Sequence, residues 1–127
     1  MLFHLDTDFL VYALSVRGPE RRRLEELSRS EDEIEISAVA WYEFSRGPRT
    51  AEQLAVARLL FGSDGVLPFS EGLASMAASV FRTLGSPRKR AADIAIGVTA
   101  AASGATLLTR NAKDFKGIPG LEIEAAE

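Results

Sequence analysis

Asp6, Glu43, Asp93 and Asp114 are carboxylates in places where a folded chain seldom leaves a charge unsupported. Asp6 ends the apolar run Leu2 to Leu5, and a buried ionised carboxylate is expensive. The plain alternative is that Asp6 or Thr7 caps the helix that follows. Glu43 lies six residues beyond Ser37, with apolar Ala40 and Val39 three and four residues before it, which turns its side chain inward or along a cleft. A boundary position paired with Arg46 would read the same way. Asp93 heads a stripe of Ile96, Gly97, Ala100 and Ala101, at offsets of three, four, seven and eight. A carboxylate leading such a face needs a cation or strong donors beside it, unless Arg110 or a backbone cap supplies them. Asp114 follows an apolar run in the segment TRNAKDF, together with Thr109 and Asn111, where a polar turn capped by Asn111 is the simpler alternative.

The elements that would position these groups alternate short apolar runs with helical periods, the signature of a parallel sheet covered by helices on both faces. Leu2 to Leu5 is the first strand, Phe9 to Ser15 a helix, and Gly18-Pro19 a break before a charged helix over Glu20 to Arg29. Ile34 to Ile36 is a second strand; Ser37 caps a helix from Ala38 to about Arg46, stopped by Gly47-Pro48. Thr50 caps a helix carrying Leu54, Ala57, Leu60 and Phe61 and ending at Gly62. Val66 to Phe69 is a third strand, and Ser70-Glu71 opens a helix to about Leu84. Ser86-Pro87 reads as the start of a long helix to Ser103, followed by Gly104. Thr106 to Thr109 is a fourth strand, Asn111 to Phe115 a turn or short helix, and Leu121 to Ile123 a candidate edge strand. One α/β domain over residues 1–127, with four to five parallel strands, is the expected architecture.

In such a sheet ligands collect where strands end and helices begin, and right-handed crossovers deliver all four acids to one edge. Clustered carboxylates raise one another's proton affinity and need a positive partner. Oxygen ligands without His or Cys select Mg²⁺ or Mn²⁺, ions that can activate water and neutralise charge on a phosphate. The single histidine, His4, lies inside the first strand and reads as a core or edge residue rather than a general base. Trp41 and Tyr42 sit next to Glu43, just before it; either could stack a base, although helix packing suits Trp41 better.

The segments DTDFLVYAL, SAVAWYEF and AADIAIGVTAAASGATLLTRNAKDF, in this order across nearly the whole chain, resemble the PIN-domain ribonucleases, in particular the VapC-type toxins of bacterial toxin–antitoxin pairs. The resemblance implies a three-layer α/β/α PIN-like fold and a Mg²⁺- or Mn²⁺-dependent endoribonuclease that is the toxin of a type II pair. It implies that Asp6, Glu43, Asp93 and Asp114 bind metal, that Thr7 and Thr109 supply hydroxyls near it, and that Asn111 supports the site. Asp6, Glu43, Asp93, Asp114 and the Thr109 region would carry catalysis, with Thr109 near the leaving oxygen. The implied partners are an RNA substrate, a cognate antitoxin that covers the site, and a second copy in a homodimer. The family usually has asparagine where this chain has Asp8.

Composition sets the remaining bounds. Asp and Glu number 18 against 15 Lys and Arg, a formal net charge of −3, which is unlike a general nucleic-acid coat. Local basic clusters at Arg21-Arg22-Arg23, Arg46 with Arg49, Arg88-Lys89-Arg90 and Arg110 with Lys113 and Lys116 could still grip phosphates. There are no cysteines, which excludes thiol chemistry and fits a reducing cytoplasm. The N-terminus lacks the pattern of a signal peptide, and no stretch nears the ~20 apolar residues of a membrane span. Two other readings stand beside the nuclease: a non-catalytic PIN-fold module that binds a protein, and a haloacid-dehalogenase-type phosphatase built on Asp6-Thr7-Asp8, for which Leu10 fits poorly.

Overall fold

In the computed structural model, which describes residues 1–125, the opening apolar run forms strand β1 (Leu2–Leu5). Phe3, His4 and Leu5 are all buried, so β1 is covered on both faces, as a central strand of a parallel sheet must be. Beside it lie β2 (Glu33–Ser37) on one side and β4 (Thr106–Thr109) on the other, with β3 (Val66–Leu67) and β5 (Glu122–Ala125) at the edges. All four pairings are parallel, and the order β3-β2-β1-β4-β5 requires the chain to cross β2 and β1 between β3 and β4.

Among the described residues six α-helices make the crossovers: α1 (Thr7–Ser15), α2 (Pro19–Ser28), α3 (Ala38–Ser45), α4 (Ala51–Arg58), α5 (Glu71–Thr83) and α6 (Ala91–Ser103). The result is the expected three-layer α/β/α arrangement, with five strands. Four helices start on a side chain that accepts a backbone N–H: Asp6, Ser37, Thr50 and Ser70. At Thr50 the box is complete, because the Gln53 side chain accepts the Thr50 N–H in return. The core joins Leu5, Phe9, Leu10, Ile36, Phe44, Ile94, Ile96, Leu107 and Leu108, each at most 2 % exposed. Connecting helices run back along the sheet, so the N-termini of α1, α3 and α6 sit at the edge where β1, β2 and β4 end.

Several boundaries depart from the sequence expectation for identifiable reasons. The first helix begins at Thr7 rather than Phe9, because Asp6 caps it directly. Strand β3 stops at Leu67; Pro68 has no N–H for a ladder. The helix expected from Pro87 begins only at Ala91, after a 3-10 turn at Arg88–Arg90. Ser86 is already engaged in closing α5: its N–H donates to Phe81 O at 2.9 Å and Gly85 N–H to Arg82 O at 3.1 Å, with Gly85 at φ 88° and Ser86 at φ 57°. This is a Schellman closure, and it leaves Ser86 outside the extended conformation an N-cap needs. Nor is the apolar face of α6 only a stripe, since every residue from Ile94 to Ala100 is buried.

Gly97 shows how tightly α6 is packed. A Cβ there would lie 2.5 Å from Ile118 Cδ1 and 3.3 Å from both Leu121 Cδ2 and Phe115 Cδ1. The segment following β4 therefore lies directly on α6. Gly97→Val is expected to destabilise the fold by about 2 kcal/mol, seen as a lower urea midpoint at unchanged slope. An unchanged midpoint would show that this segment is free to move off the helix.

Candidate metal centre

The carboxyl edge of the sheet holds a cleft of about 320 Å³, lined by Asp6, Asp8, Glu43, Asp93 and Asp114. The four acids singled out in the sequence thus meet, and Asp8 adds a fifth. Thr7, Arg46 and Asn111 share the lining. Larger clefts, of about 540, 590 and 390 Å³, lie elsewhere, the last lined by Arg17, Arg21 and Arg22 with Glu25 as its acid. The first has Glu52 as its only acid. In the second, Asp32 is bonded to the terminal ammonium and Glu35 to His4 and Ser103. Glu33 and Asp64 also line that second cleft, so what sets the smaller cleft apart is five carboxylates gathered in one place.

Asp6 has two duties. One carboxylate oxygen accepts the Phe9 N–H at 2.8 Å, which starts α1; the other accepts the Thr109 hydroxyl at 2.5 Å. Parallel pairing of β1 with β4 makes the second bond, across 103 residues of chain. Despite both bonds, burial pushes the Asp6 carboxyl up to about 6, and the charges of Asp8 and Glu43 add to the rise. Thr109 is fully buried, and its oxygen also accepts the Asn111 N–H at 3.0 Å. Through its hydroxyl bond Thr109 orients the Asp6 carboxylate.

Glu43 is held from two sides. Its Oε1 accepts the Thr7 hydroxyl at 2.7 Å, and Arg46 Nη2 stands 3.9 Å from its Oε2. Thr7 lies in the first turn of α1 and Glu43 in α3, so this bond ties the two helices at the cleft. Arg46 also lies over the Tyr42 ring, 5.3 Å from its centroid, and Tyr42 is 62 % exposed. Trp41 packs instead, stacking on Phe44 at 5.7 Å and meeting Phe61 edge-on at 6.2 Å.

Asp93, the third residue of α6, is the exposed flaw in the electrostatics. Among the described residues no hydrogen bond or ion pair holds its carboxylate. Burial first, then the charges of Asp114, Asp6, Glu43 and Asp8, push it up to about 6. Arg110 does not rescue it: the guanidinium lies 3.4 Å from the Tyr12 ring centroid and 3.5 Å from Glu20. Asp114 sits in the 3-10 turn Ala112–Phe115, its N–H bonded to Asn111 O at 3.0 Å. His4 is remote from this chemistry, fully buried between the strands with Nδ1 2.5 Å from Glu35 Oε2. It is the core residue the sequence suggested.

A divalent cation fits these residues. The donors are all oxygens, the preference of Mg²⁺ and Mn²⁺, and Asp93 is a desolvated carboxylate facing four others with no donor of its own. Among the described residues no group of three acids is already placed to hold an ion, so the fit is one of donor chemistry and charge.

The raised carboxyls set the pH dependence of the metal-free protein. An acid whose folded pKa is near 6, against 3.8 when unfolded, weakens the fold fully above pH 6. The penalty fades as pH falls through 6 and is gone below 3.8. In chelator, Asp93→Asn should therefore raise stability at pH 7.5, on the order of 1 kcal/mol after solvent screening, and flatten the pH profile between 4 and 7. Thermal melts of both proteins across that range test this; a lower melting point for Asp93→Asn at pH 7.5 would overturn it.

The PIN domain family model matches residues 4–121. Among solved structures, a chain of the VapBC2 complex from Rickettsia felis, bound to a promoter DNA fragment, superimposes with a TM-score of 0.72 at 25% identity, covering 100% of both chains. A toxin–antitoxin complex from Klebsiella pneumoniae gives 0.71 at 26% identity over 93% of both chains. VapBC-1 from nontypeable Haemophilus influenzae, at 0.70 and 24% identity over 98% of both, shares the fold. No curated protein sequence matches the chain. With a family model spanning nearly its whole length and an acidic cleft at the carboxyl edge of its parallel sheet, the chain belongs to the PIN-domain family.

Proposed function

We propose that this PIN domain is a Mg²⁺- or Mn²⁺-dependent endoribonuclease and the toxin of a type II toxin–antitoxin pair. The observation that carries the reading is the five-carboxylate cleft with Asp93 left unpartnered inside it. Support for the toxin assignment comes from the VapBC and toxin–antitoxin complexes to which the chain is similar over nearly its full length. By the same likeness, a cognate antitoxin and a second copy of the chain are its proposed protein partners, and the cytoplasm its proposed location. Family membership removes the phosphatase reading.

Asp6, Asp93, Asp114 and Glu43 would hold the ion or ions, directly or through water. Bound there, a divalent cation supplies Lewis acidity, activating water and neutralising charge on the phosphate. The protein's own groups do the rest. Thr109 and the Phe9 amide fix both oxygens of Asp6, so its carboxylate meets the cleft in one orientation. Thr7 does the same for Glu43. Arg46 stands at the rim, where its charge can meet a phosphate next to the scissile one. Beside it, the exposed Tyr42 ring offers a face to a base.

Purified chain, stripped of any bound partner, should cleave a structured RNA only when Mg²⁺ or Mn²⁺ is added. Removal of an outer-shell group commonly weakens a metal site about 10–100-fold, so Asp93→Ala should lose at least about a hundredfold, while Asp8→Asn should retain activity. Equal cleavage by wild type, Asp6→Ala and Asp93→Ala would identify a contaminating nuclease and remove the enzymatic reading.

A further inference from the structure

The turn that presents Asp114 is anchored by a residue outside it. Its bonds at Asp114, Lys116 and Leu121 are short-range: Asp114 N–H to Asn111 O, Lys116 N–H to Lys113 O at 3.3 Å, and Leu121 N–H to Ile118 O at 3.5 Å. Phe115 and Ile118 bury their side chains, but apolar contacts do not fix the direction of a peptide. Among the described residues, two side-chain hydrogen bonds reach residues 112–120 from another element, and both come from Arg90. Its Nε–H donates to Asp114 O at 3.0 Å, and its Nη2–H to Lys116 O at 2.5 Å.

Arg90 occupies a telling place. It is the residue on which α6 starts, three positions before Asp93, and it has no side-chain capping role of its own there. Asp93 is thus carried by the same rigid turn as the guanidinium, and Asp114 by the turn the guanidinium grips. The two carboxylates face one cleft with like charge, so without a tether their repulsion would swing the shorter, more loosely bonded turn outward. A guanidinium is suited to such a tether, because its planar fork reaches two carbonyl oxygens at once, whereas an ammonium is a single point donor at the same reach.

We infer that Arg90 is a positioning residue of the metal centre, whose forked bonds to the Asp114 and Lys116 carbonyls hold the Asp114 carboxylate opposite Asp93. The inference rests on the proposed reading of the cleft as a metal site, and it deepens it, since Arg90 is not among the residues that line the cleft and acts on it through Asp114.

Two measurements on wild type, Arg90→Ala, Arg90→Lys, Asp114→Asn and the Arg90→Ala/Asp114→Asn double variant test it: calorimetric titration with Mn²⁺, and hydrogen exchange of the segment 111–117. Arg90→Ala is expected to weaken Mn²⁺ binding about tenfold, and Arg90→Lys to recover part of that loss. In the Asp114→Asn background the alanine should weaken binding no further, because its effect passes through Asp114. Exchange over 111–117 should quicken in Arg90→Ala while that of 106–109 holds. Wild-type Mn²⁺ affinity in Arg90→Ala, or a loss undiminished in the Asp114→Asn background, would overturn the inference. Should wild type take up no Mn²⁺, the metal reading itself falls. Exchange then decides whether Arg90 tethers the turn: quickening supports the tether, and no change removes it.

Discussion

Desolvated negative charge at the carboxyl edge of the sheet is what the local structure is organised around. Asp6 accepts two good hydrogen bonds, yet burial and its acidic neighbours still push its carboxyl up to about 6. Asp93 reaches the same level with no bonds at all. Each nearby polar contact moderates this repulsion without ending it: Thr109 for Asp6, Thr7 for Glu43, Arg46 at the rim. What remains uncompensated is negative charge on carboxylate oxygens, the donors a small hard cation prefers.

Parallel topology gathers these charges from distant parts of the chain. β1 and β4 are neighbours only because the chain crosses over β2 and β1 between β3 and β4. That crossover sets Thr109 beside Asp6 and brings the start of α6 to the edge where β1 ends. Close packing at Gly97 then lays the segment after β4 along the same helix. The site is therefore a product of the sheet order as much as of any motif.

Much of this was legible in the sequence because it depends on local pattern. Ser37, Thr50 and Ser70 announced their helices by residue type, and the apolar runs at Leu2 and Thr106 announced central strands. Asp6 and Asp93 stood out because each interrupts an apolar pattern at an element end, Glu43 because apolar residues precede it by one turn, and Asp114 because it follows an apolar run. What depends on distant partners was not legible. That the Thr109 hydroxyl bonds Asp6 could not be read locally, because the two residues meet only through the pairing of β1 with β4. Ser86-Pro87 looked like a helix start because nothing local reveals that Ser86 closes the preceding helix. Arg90 looked like one member of a basic run; only the geometry of the Asp114 turn separates it from Arg88 and Lys89.

Asp6 and Asp93 differ in a way that matters beyond the site. Asp6 begins a helix and joins two strands, so the fold leans on it whether or not the cleft binds anything. Asp93 has no structural partner among the described residues, and its charge strains the fold. Both raised carboxyls cost stability above pH 6, but at Asp6 two hydrogen bonds work against that cost, whereas at Asp93 none does. A lineage that kept this domain only as a protein-binding scaffold would shed Asp93 early and retain Asp6 long after the chemistry was gone. The identity of the residue at position 93 is accordingly the better marker of a working centre.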